Sequence, residues 1–269
     1  MENRRWSNYR KANDKYPAVR SAELDQIFER VNPRQGEIIA EFGTGNGYLT
    51  FPLARAVCHQ GRVITFDVME ENLESVIERN LKFNLPIETR HQPPRAYTGL
   101  PAESVDAVAS IATFHHYDST RPDTGTKGRL TAMKEWARVL KYDGQLVVGD
   151  VMRSTAPSTY FNAIDSPTLC APEGHPHEFM DEELVKGLCT EAGLELSYFQ
   201  FVKTPWVFND EKEAGDFLNV IHNSQASKQE SLQIAKDNLQ HWQEHGKFYL
   251  GWGLAYFEAR KPRNHNVRC

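Results

Sequence analysis

The sequence predicts an α/β fold, with a doubly wound, mostly parallel sheet of seven strands and helices on both of its faces. Short apolar segments alternate with amphipathic segments along residues 36–151. The apolar segments are almost continuously hydrophobic, which is typical of strands buried on both faces of a parallel sheet. A glycine-rich turn directly follows the first of these strands, at residues 43–47. These observations indicate strands joined by helices that cross from one strand to the next.

Apolar residues follow no clear period within 1–18, and the sequence after them predicts helices that alternate with strands. Apolar residues within 21–31 repeat at the i, i+3, i+4, i+7 spacing of a helix, which Asn32 and Pro33 end. The predicted strands that follow are 37–42, 62–67, 87–91 and 105–111, and the predicted helices are 49–57 and 70–84.

The second half continues this alternation and then departs from it. Predicted helices lie at 130–140 and 181–192, and predicted strands at 145–151, 194–202 and 248–259. Between them, residues 152–180 show no sustained period, and two amphipathic stripes run from Ala214 to Ile221 and from Leu232 to Trp242. We expect residues 1–35 to form a helical lid on a domain spanning 36–269. Insertions at about 152–180 and 204–247 are then expected to cover that domain.

Composition excludes several classes of protein. The 269 residues are 40% hydrophobic and 25% charged, so the chain as a whole is not disordered. No apolar run approaches the roughly 20 residues that span a bilayer, and we expect a cytoplasmic protein without membrane contact. The four cysteines lack the spacing of a zinc site or a redox pair. A net charge of −5 makes nucleic acid an unlikely partner, although residues 1–20 carry six basic and two acidic side chains.

The glycine turn predicts a nucleotide site. Gly43, Gly45 and Gly47 stand where the first strand meets its helix, and the N-terminus of that helix suits an anion. Asp67 ends the second strand, where a carboxylate can accept hydrogen bonds from both hydroxyls of a ribose. A dinucleotide fingerprint would place its third glycine at position 48, which is Tyr48, and no Gly-Lys-Ser/Thr follows for a phosphate loop.

The pattern of landmarks resembles the class I S-adenosylmethionine-dependent methyltransferases of small-molecule type. The landmarks are Glu-Phe-Gly-Thr-Gly-Asn-Gly at 41–47, Asp67, Val-Asp-Ala-Val at 105–108, the pair His115 and His116, and Arg-Val-Leu-Lys-Tyr-Asp-Gly at 138–144. The resemblance covers residues 36–151 closely and 181–202 with 248–260 more loosely. It implies the Rossmann-like sheet with its last strand antiparallel, and S-adenosylmethionine as the methyl donor.

The resemblance also implies which residues bind the donor. They are Glu41, Gly43, Thr44, Gly45, Asn46, Gly47, Asp67, Val68, Met69, Gln92, Ser110 and Ile111. Members of this family often carry an acid after the third strand that binds adenine, but residues 90–96 contain none. We therefore expect the backbone with Gln92 or His91 to hold the adenine.

Candidate residues for the acceptor lie after the fourth and fifth strands and in the flanking segments. His115, His116 and Asp150 stand at the carboxyl edge of the sheet, where a histidine suits a general base. Tyr9, Tyr16, His175 and Trp206 are candidates for binding the acceptor. His175, His177 and Glu178 could also be read as metal ligands, but this spacing is common in plain loops, and we expect no metal.

Three functions remain open at this point. The first is methyl transfer to an O, N or C atom of a small molecule. The second is an RNA or protein methyltransferase, although residues 110–113 read Ser-Ile-Ala-Thr rather than the Asn/Asp-Pro-Pro-Tyr/Phe of enzymes that methylate exocyclic base nitrogens. The third is a protein that binds S-adenosylmethionine without transferring its methyl group. A homodimer is also left open.

Overall fold

The computed structural model describes residues 2–92, 97–117, 127–166, 169 and 179–263, with the side chains of 2–7 and 127 left out. The helices are α1 (Glu2–Lys15), α2 (Ser21–Val31), α3 (Thr50–Val57), α4 (Glu70–Asn80), α5 (Lys127–Val139), α6 (Ala156–Ile164), α7 (Glu182–Ala192), α8 (Glu211–Ile221) and α9 (Lys228–Asn238). The strands are β1 (Ile38–Phe42), β2 (Arg62–Asp67), β3 (Ile87–His91), β4 (Val105–Ile111), β5 (Leu140–Asp150), β6 (Glu195–Lys203), β7 (Trp206–Phe208), β8 (His241–Glu244), β9 (Lys247–Leu250) and β10 (Gly253–Arg260).

Seven strands form the main sheet in the order β3-β2-β1-β4-β5-β10-β6. The strands from β1 to β5 pair in parallel, and β10 pairs antiparallel with both β5 and β6. The predicted fold class is therefore confirmed. The order reverses beside β1, and ligands of open α/β sheets bind outside the carboxyl ends of the strands at such a point.

Both faces of the sheet are buried, as the continuous apolar strands predict. Ile39 and Val63 pack into a core with α2, α3 and the helices of the second half, whereas their neighbours Ala40 and Ile64 pack into a second core with α5 and α7. Successive residues of one strand thus enter opposite cores because side chains alternate across a sheet.

Two stretches without a clear pattern contain helices, and two predicted elements need correction. Residues 1–18, which show no clear period, contain α1, a helix with few apolar residues, and Lys15 at its end donates to Asp216 of α8. Residues 152–180 contain α6, a helix too short for a sustained period. The predicted strand 248–259 is two strands, β9 and β10, which belong to different sheets. Trp242 lies in β8, not in a helix.

The strands outside the main sheet form a small sheet of their own. Its order is β7-β9-β8, and all of its pairs are antiparallel. It packs with α8, whose Phe217 contacts Trp206 with ring centroids 5.2 Å apart. Within the described ranges, no helix is both long and apolar enough to cross a membrane.

Candidate active site

The loop after β1 takes a backbone shape that only glycine adopts readily. Gly43, Gly45 and Gly47 have φ angles of +92°, +52° and +80°. A Cβ atom on Gly43 would lie 2.1 Å from Oγ1 of Thr113, so this position has no room for a side chain. The loop therefore brings its main chain close to whatever binds beside it.

Asp67 holds this loop through both of its carboxylate oxygens. Its Oδ2 accepts a hydrogen bond from the backbone N–H of Gly45 at 2.9 Å, and its Oδ1 accepts one from Met69 at 2.9 Å. Burial raises the pKa of this carboxyl. The side chain of Asn72 and the backbone N–H of Val68 also bond to this carboxyl, so ligand hydroxyls would share it with these donors.

Two buried oxygens beside the loop have no donor among the described residues. They are Oε1 of Glu41 and Oδ1 of Asn46. The other oxygen of Glu41 accepts hydrogen bonds from Thr50 at 2.5 Å and Thr65 at 2.8 Å. Burial raises the pKa of Glu41 to about 8. Because buried acceptors are normally paired, these two oxygens fit a ligand that brings N–H donors, such as an ammonium group.

A single cavity of about 380 Å³ connects the loop to the second half of the chain. Of the predicted donor-binding residues, those that line it are Glu41, Gly43, Thr44, Gly45, Asn46, Asp67, Val68, Met69, Gln92 and Ile111. Gly47 does not line it, and a Cβ there would meet Phe51 at 2.6 Å. Ser110 does not line it either, and its hydroxyl donates to the carbonyl of Phe42 at 2.9 Å.

His115 and Asp150 form a buried pair at this cavity. Nδ1 of His115 lies 2.6 Å from Oδ1 of Asp150, and the backbone N–H of His115 donates to Oδ2 at 2.9 Å. The ring of His116 lies 3.9 Å from that of His115 between centroids. Both histidines line the cavity, whereas Asp150 stands behind His115. This arrangement orients the imidazole ring.

Of the other residues predicted to bind the acceptor, some line the cavity and some do not. Tyr9 and Trp206 line the cavity. Tyr16 does not, because its hydroxyl donates to Asp216 and its ring packs against Phe217. His175 lies outside the described residues.

The end of the cavity away from the glycine loop is aromatic. Trp206 stacks on Trp252 with ring centroids 4.0 Å apart, and Phe161 lies 5.7 Å from Trp252. The ring centroid of Phe161 lies 6.1 Å from that of His115 and 5.5 Å from that of His222. Sequence reasoning missed Phe161, His222 and Trp252, since they come from three distant segments and belong to no local motif.

Comparison with known proteins supplies the family. Residues 40–148 match the model of a family described as a methyltransferase domain. The match spans the glycine loop, Asp67 and His115. The chain therefore contains a methyltransferase domain at these residues, and its sheet has the fold of solved methyltransferases.

Other similarities to this methyltransferase domain extend over different lengths. The chain is 44% identical over 59 residues to tRNA (adenine(57)-N(1)/adenine(58)-N(1))-methyltransferase TrmI of Methanocaldococcus jannaschii, which is 22% of the chain and 21% of that protein. The chain thus matches about a fifth of this curated relative's length. A proposed methyltransferase from Bacillus halodurans C-125 superposes with a TM-score of 0.61 at 18% identity, covering 89% of this chain and 99% of the other.

A third comparison is geranyl diphosphate C-methyltransferase from Streptomyces coelicolor A3(2), solved with Mg²⁺, geranyl diphosphate and S-adenosyl-L-homocysteine. Its TM-score is 0.59 at 12% identity, covering 93% of this chain and 82% of that one. At this identity the similarity shows the fold alone.

Residues 90–96, at the end of β3 and just after it, contain no aspartate or glutamate that could bind adenine. The backbone N–H of Gln92 donates to the carbonyl of Asp67 at 3.0 Å, which places Gln92 at the cavity. Glu135 also lines the cavity, but its carboxylate accepts hydrogen bonds from Thr98 at 2.6 Å and from Arg138 at 2.7 Å. These bonds lower the pKa of Glu135. This carboxylate is already used in holding Thr98 and Arg138 in place.

Proposed function

We propose that this protein transfers the methyl group of S-adenosylmethionine to a small-molecule acceptor and releases S-adenosylhomocysteine. One observation carries the proposal: a single cavity joins the glycine loop to an aromatic end that includes His115. In this proposal Asp67 binds the ribose hydroxyls, and Glu41 with Asn46 binds the ammonium group. The donor supplies a methyl carbon whose bond to sulfur breaks, with the electron pair staying on sulfur.

His115 is the proposed general base for an acceptor that loses a proton. Because Nδ1 faces Asp150, the basic nitrogen of the neutral ring is Nε2. Asp150 positions the ring through its hydrogen bonds to Nδ1 and to the backbone N–H of His115. General-base catalysis of this kind typically contributes about 10²- to 10⁴-fold to a rate.

We also propose that residues 1–35 form a lid over the donor, and that 152–180 with 204–247 cover the acceptor. The side chain of Tyr9 lies 3.7 Å from the position of a Cβ on Gly45. Asp14 accepts a hydrogen bond from Asn46 at 3.0 Å, and Lys15 donates to Asp216 of α8 at 2.6 Å. Helix α1 thus contacts the glycine loop on one side and the second half of the chain on the other.

The small-molecule proposal is preferred over RNA because of what surrounds the acceptor end. Its lining is mostly aromatic and comes from α6, β7 and α8 as well as the sheet. An enclosed apolar site with few polar groups is typical of small ligands. The 59-residue match to a tRNA methyltransferase keeps RNA as the second candidate. A cytoplasmic location and a homodimer stay predictions from the sequence.

Formation of S-adenosylhomocysteine tests the proposal. The purified protein is incubated with S-adenosylmethionine and either a library of small hydroxylated and amino compounds or unmodified tRNA. We expect S-adenosylhomocysteine with at least one small compound and none above background with tRNA. Product with tRNA alone would establish the RNA function instead. Tight donor binding with no product from either pool would favour the binding protein that does not transfer methyl groups.

A further inference from the structure

The cavity contains a buried guanidinium. Arg20 precedes α2, is 4% exposed and lines the cavity. Its guanidinium lies over the rings of Tyr9 and Tyr48, at 5.5 Å and 5.2 Å from their centroids. The hydroxyl of Tyr48 also donates to the carbonyl of Arg20. These contacts hold the side chain in one position.

One N–H group of Arg20 has no acceptor in the part of the chain that the structure describes. Nε and Nη2 each donate to Oε2 of Glu23, the first at 3.0 Å. Nη1 donates to the hydroxyl of Tyr9 and to Oδ1 of Asn13, the latter at 3.4 Å. An arginine side chain has five N–H groups, so the second hydrogen on Nη2 is left over.

The charge of Arg20 is already balanced. Glu23 is fully buried beside it, and the second carboxylate oxygen of Glu23 accepts a hydrogen bond from the indole N–H of Trp206 at 2.5 Å. A carboxylate on the acceptor would therefore add a buried charge without its own counter-ion, which is costly. The remaining N–H favours a neutral oxygen, such as that of a ketone, aldehyde or amide.

The aromatic end of the cavity and the His115–Asp150 pair narrow the chemistry of the acceptor further. Trp206, Trp252 and Phe161 offer flat apolar surfaces that suit a planar ring. The His115–Asp150 pair offers a base, which suits a hydroxyl acidic enough to lose its proton near neutral pH.

We propose that the acceptor is a neutral phenol that carries a second, carbonyl-type oxygen, and that Arg20 binds this oxygen. The proposal rests on the proposed function and names its substrate class. The phenol hydroxyl gives its proton to Nε2 of His115, and its oxygen forms a bond to the methyl carbon. The bond from that carbon to sulfur breaks, and sulfur keeps the electron pair. Arg20 binds the far end of the ring and takes no part in the proton transfer.

Three phenols of nearly equal size test this assignment. They are 4-hydroxyacetophenone, which has a neutral carbonyl, 4-ethylphenol, which lacks that oxygen, and 4-hydroxybenzoate, which carries a carboxylate. Each is titrated by calorimetry into the protein saturated with S-adenosylhomocysteine. We expect 4-hydroxyacetophenone to bind at least tenfold more tightly than either of the others.

A paired substitution separates the role of Arg20 in binding from its role in folding. Replacing Arg20 alone would leave Glu23 buried without its partner, so the variant is Arg20→Met with Glu23→Gln. We expect it to bind 4-hydroxyacetophenone and 4-ethylphenol equally, while its affinity for S-adenosylhomocysteine changes less than threefold. Arg30→Met is the matched control, since Arg30 lies over Tyr198 and Tyr256 and does not line the cavity.

The remaining outcomes distinguish the two levels of the proposal. Failure of the wild-type protein to bind S-adenosylhomocysteine would overturn the proposed function itself. If the protein binds S-adenosylhomocysteine normally, three results would overturn the Arg20 assignment alone. They are equal binding of the phenols, binding of no phenol, and tighter binding of 4-hydroxybenzoate. If the paired variant does not fold, the order of the three phenols in the wild-type protein tests the Arg20 assignment on its own.

Discussion

The two ends of the cavity are built in different ways. The donor end comes from consecutive turns at the carboxyl edges of β1 and β2, and backbone groups of Gly45 and Met69 bind Asp67 there. The acceptor end comes from side chains of segments far apart in the chain, such as Phe161, Trp206 and Trp252. The first end depends on backbone geometry that a few glycines dictate. The second depends on how whole elements pack against one another.

Because the two ends are built differently, substitutions at each end should affect a different step of binding. Changes at the donor end should act on binding of S-adenosylmethionine whatever the acceptor. Changes at the aromatic end should act on the acceptor and leave the donor nearly unaffected. Tyr9 and Arg20 join the two, because α1 and the start of α2 contact both.

The largest expected effect on donor binding is at the donor loop. Gly45→Val places a β-branched side chain at a φ of +52°, a conformation that such residues avoid, and its methyl groups would meet Tyr9. We expect binding of S-adenosylhomocysteine to weaken by at least about 100-fold, equal to roughly 3 kcal/mol. Calorimetry measures the affinity, and circular dichroism checks the fold. Gly187→Val is the control, since Gly187 lies in α7 with open space around it. Unchanged affinity for Gly45→Val would remove this loop from the donor site.

His115→Ala tests the catalytic part of the acceptor end. Because the base is lost, we expect kcat to fall by about 10²- to 10⁴-fold with donor affinity unchanged. Production of S-adenosylhomocysteine gives the rate, and added imidazole should restore part of it. His59→Ala, at an exposed position, should have no effect. Full activity of His115→Ala would show that the acceptor needs no base from this residue.

Asp67→Ala tests the acid that the sequence places at the ribose. It removes the proposed hydrogen bonds to the ribose hydroxyls and also releases the backbone N–H groups of Gly45 and Met69. We expect a loss of about 1–3 kcal/mol in donor binding, or roughly 10- to 100-fold. Asp25→Ala at an exposed site is the control for calorimetry. An affinity equal to that of the control would place the ribose elsewhere.

Trp206→Phe should act on the aromatic end alone. The change keeps a ring beside Trp252 but removes the indole N–H that Glu23 accepts at 2.5 Å. We expect KM for the acceptor to rise by about tenfold, because a lost hydrogen bond to a buried charged group costs about 1.5–3 kcal/mol. Donor affinity should stay within threefold of the wild type. A change in donor affinity as large as that in KM would contradict the separation of the two ends.

A further expected effect is the pH dependence of donor binding through Glu41. With a pKa of about 8, Glu41 holds a proton in the free protein at neutral pH, whereas the donor's ammonium favours the ionised carboxylate. Donor binding should therefore release a proton and tighten by up to about tenfold per pH unit from pH 6 toward 8. Calorimetry in buffers of different ionisation enthalpy counts the protons, and Glu41→Gln should release none.

The same pKa fixes the sign of a stability effect. The folded state raises the pKa of Glu41 above its ordinary value of 4.5, so stability of the free protein should fall as pH rises from 4.5 to 8. Glu41→Gln should remove that slope from urea unfolding curves. An identical slope in both proteins would contradict the assignment of the pKa.

The donor end of the cavity could be predicted from the sequence, whereas most of the acceptor end could not. The glycine loop, Asp67 and the strands of the main sheet are encoded by local spacing, so their positions could be predicted from 36 to 151. Arg20, Phe161 and Trp252 lie at the cavity only because α2, α6 and β10 pack around it, and no spacing along the chain encodes that. Tyr16 was a reasonable candidate by type, but its contact with Asp216 directs it away from the cavity.

A crystal structure with S-adenosylhomocysteine tests the central claim most directly. It should show the ribose hydroxyls at the carboxylate of Asp67, the ammonium at Oε1 of Glu41, and the sulfur directed toward His115 and the aromatic end. A structure in which the ligand lies outside the glycine loop, or directs its sulfur away from His115, would contradict the account.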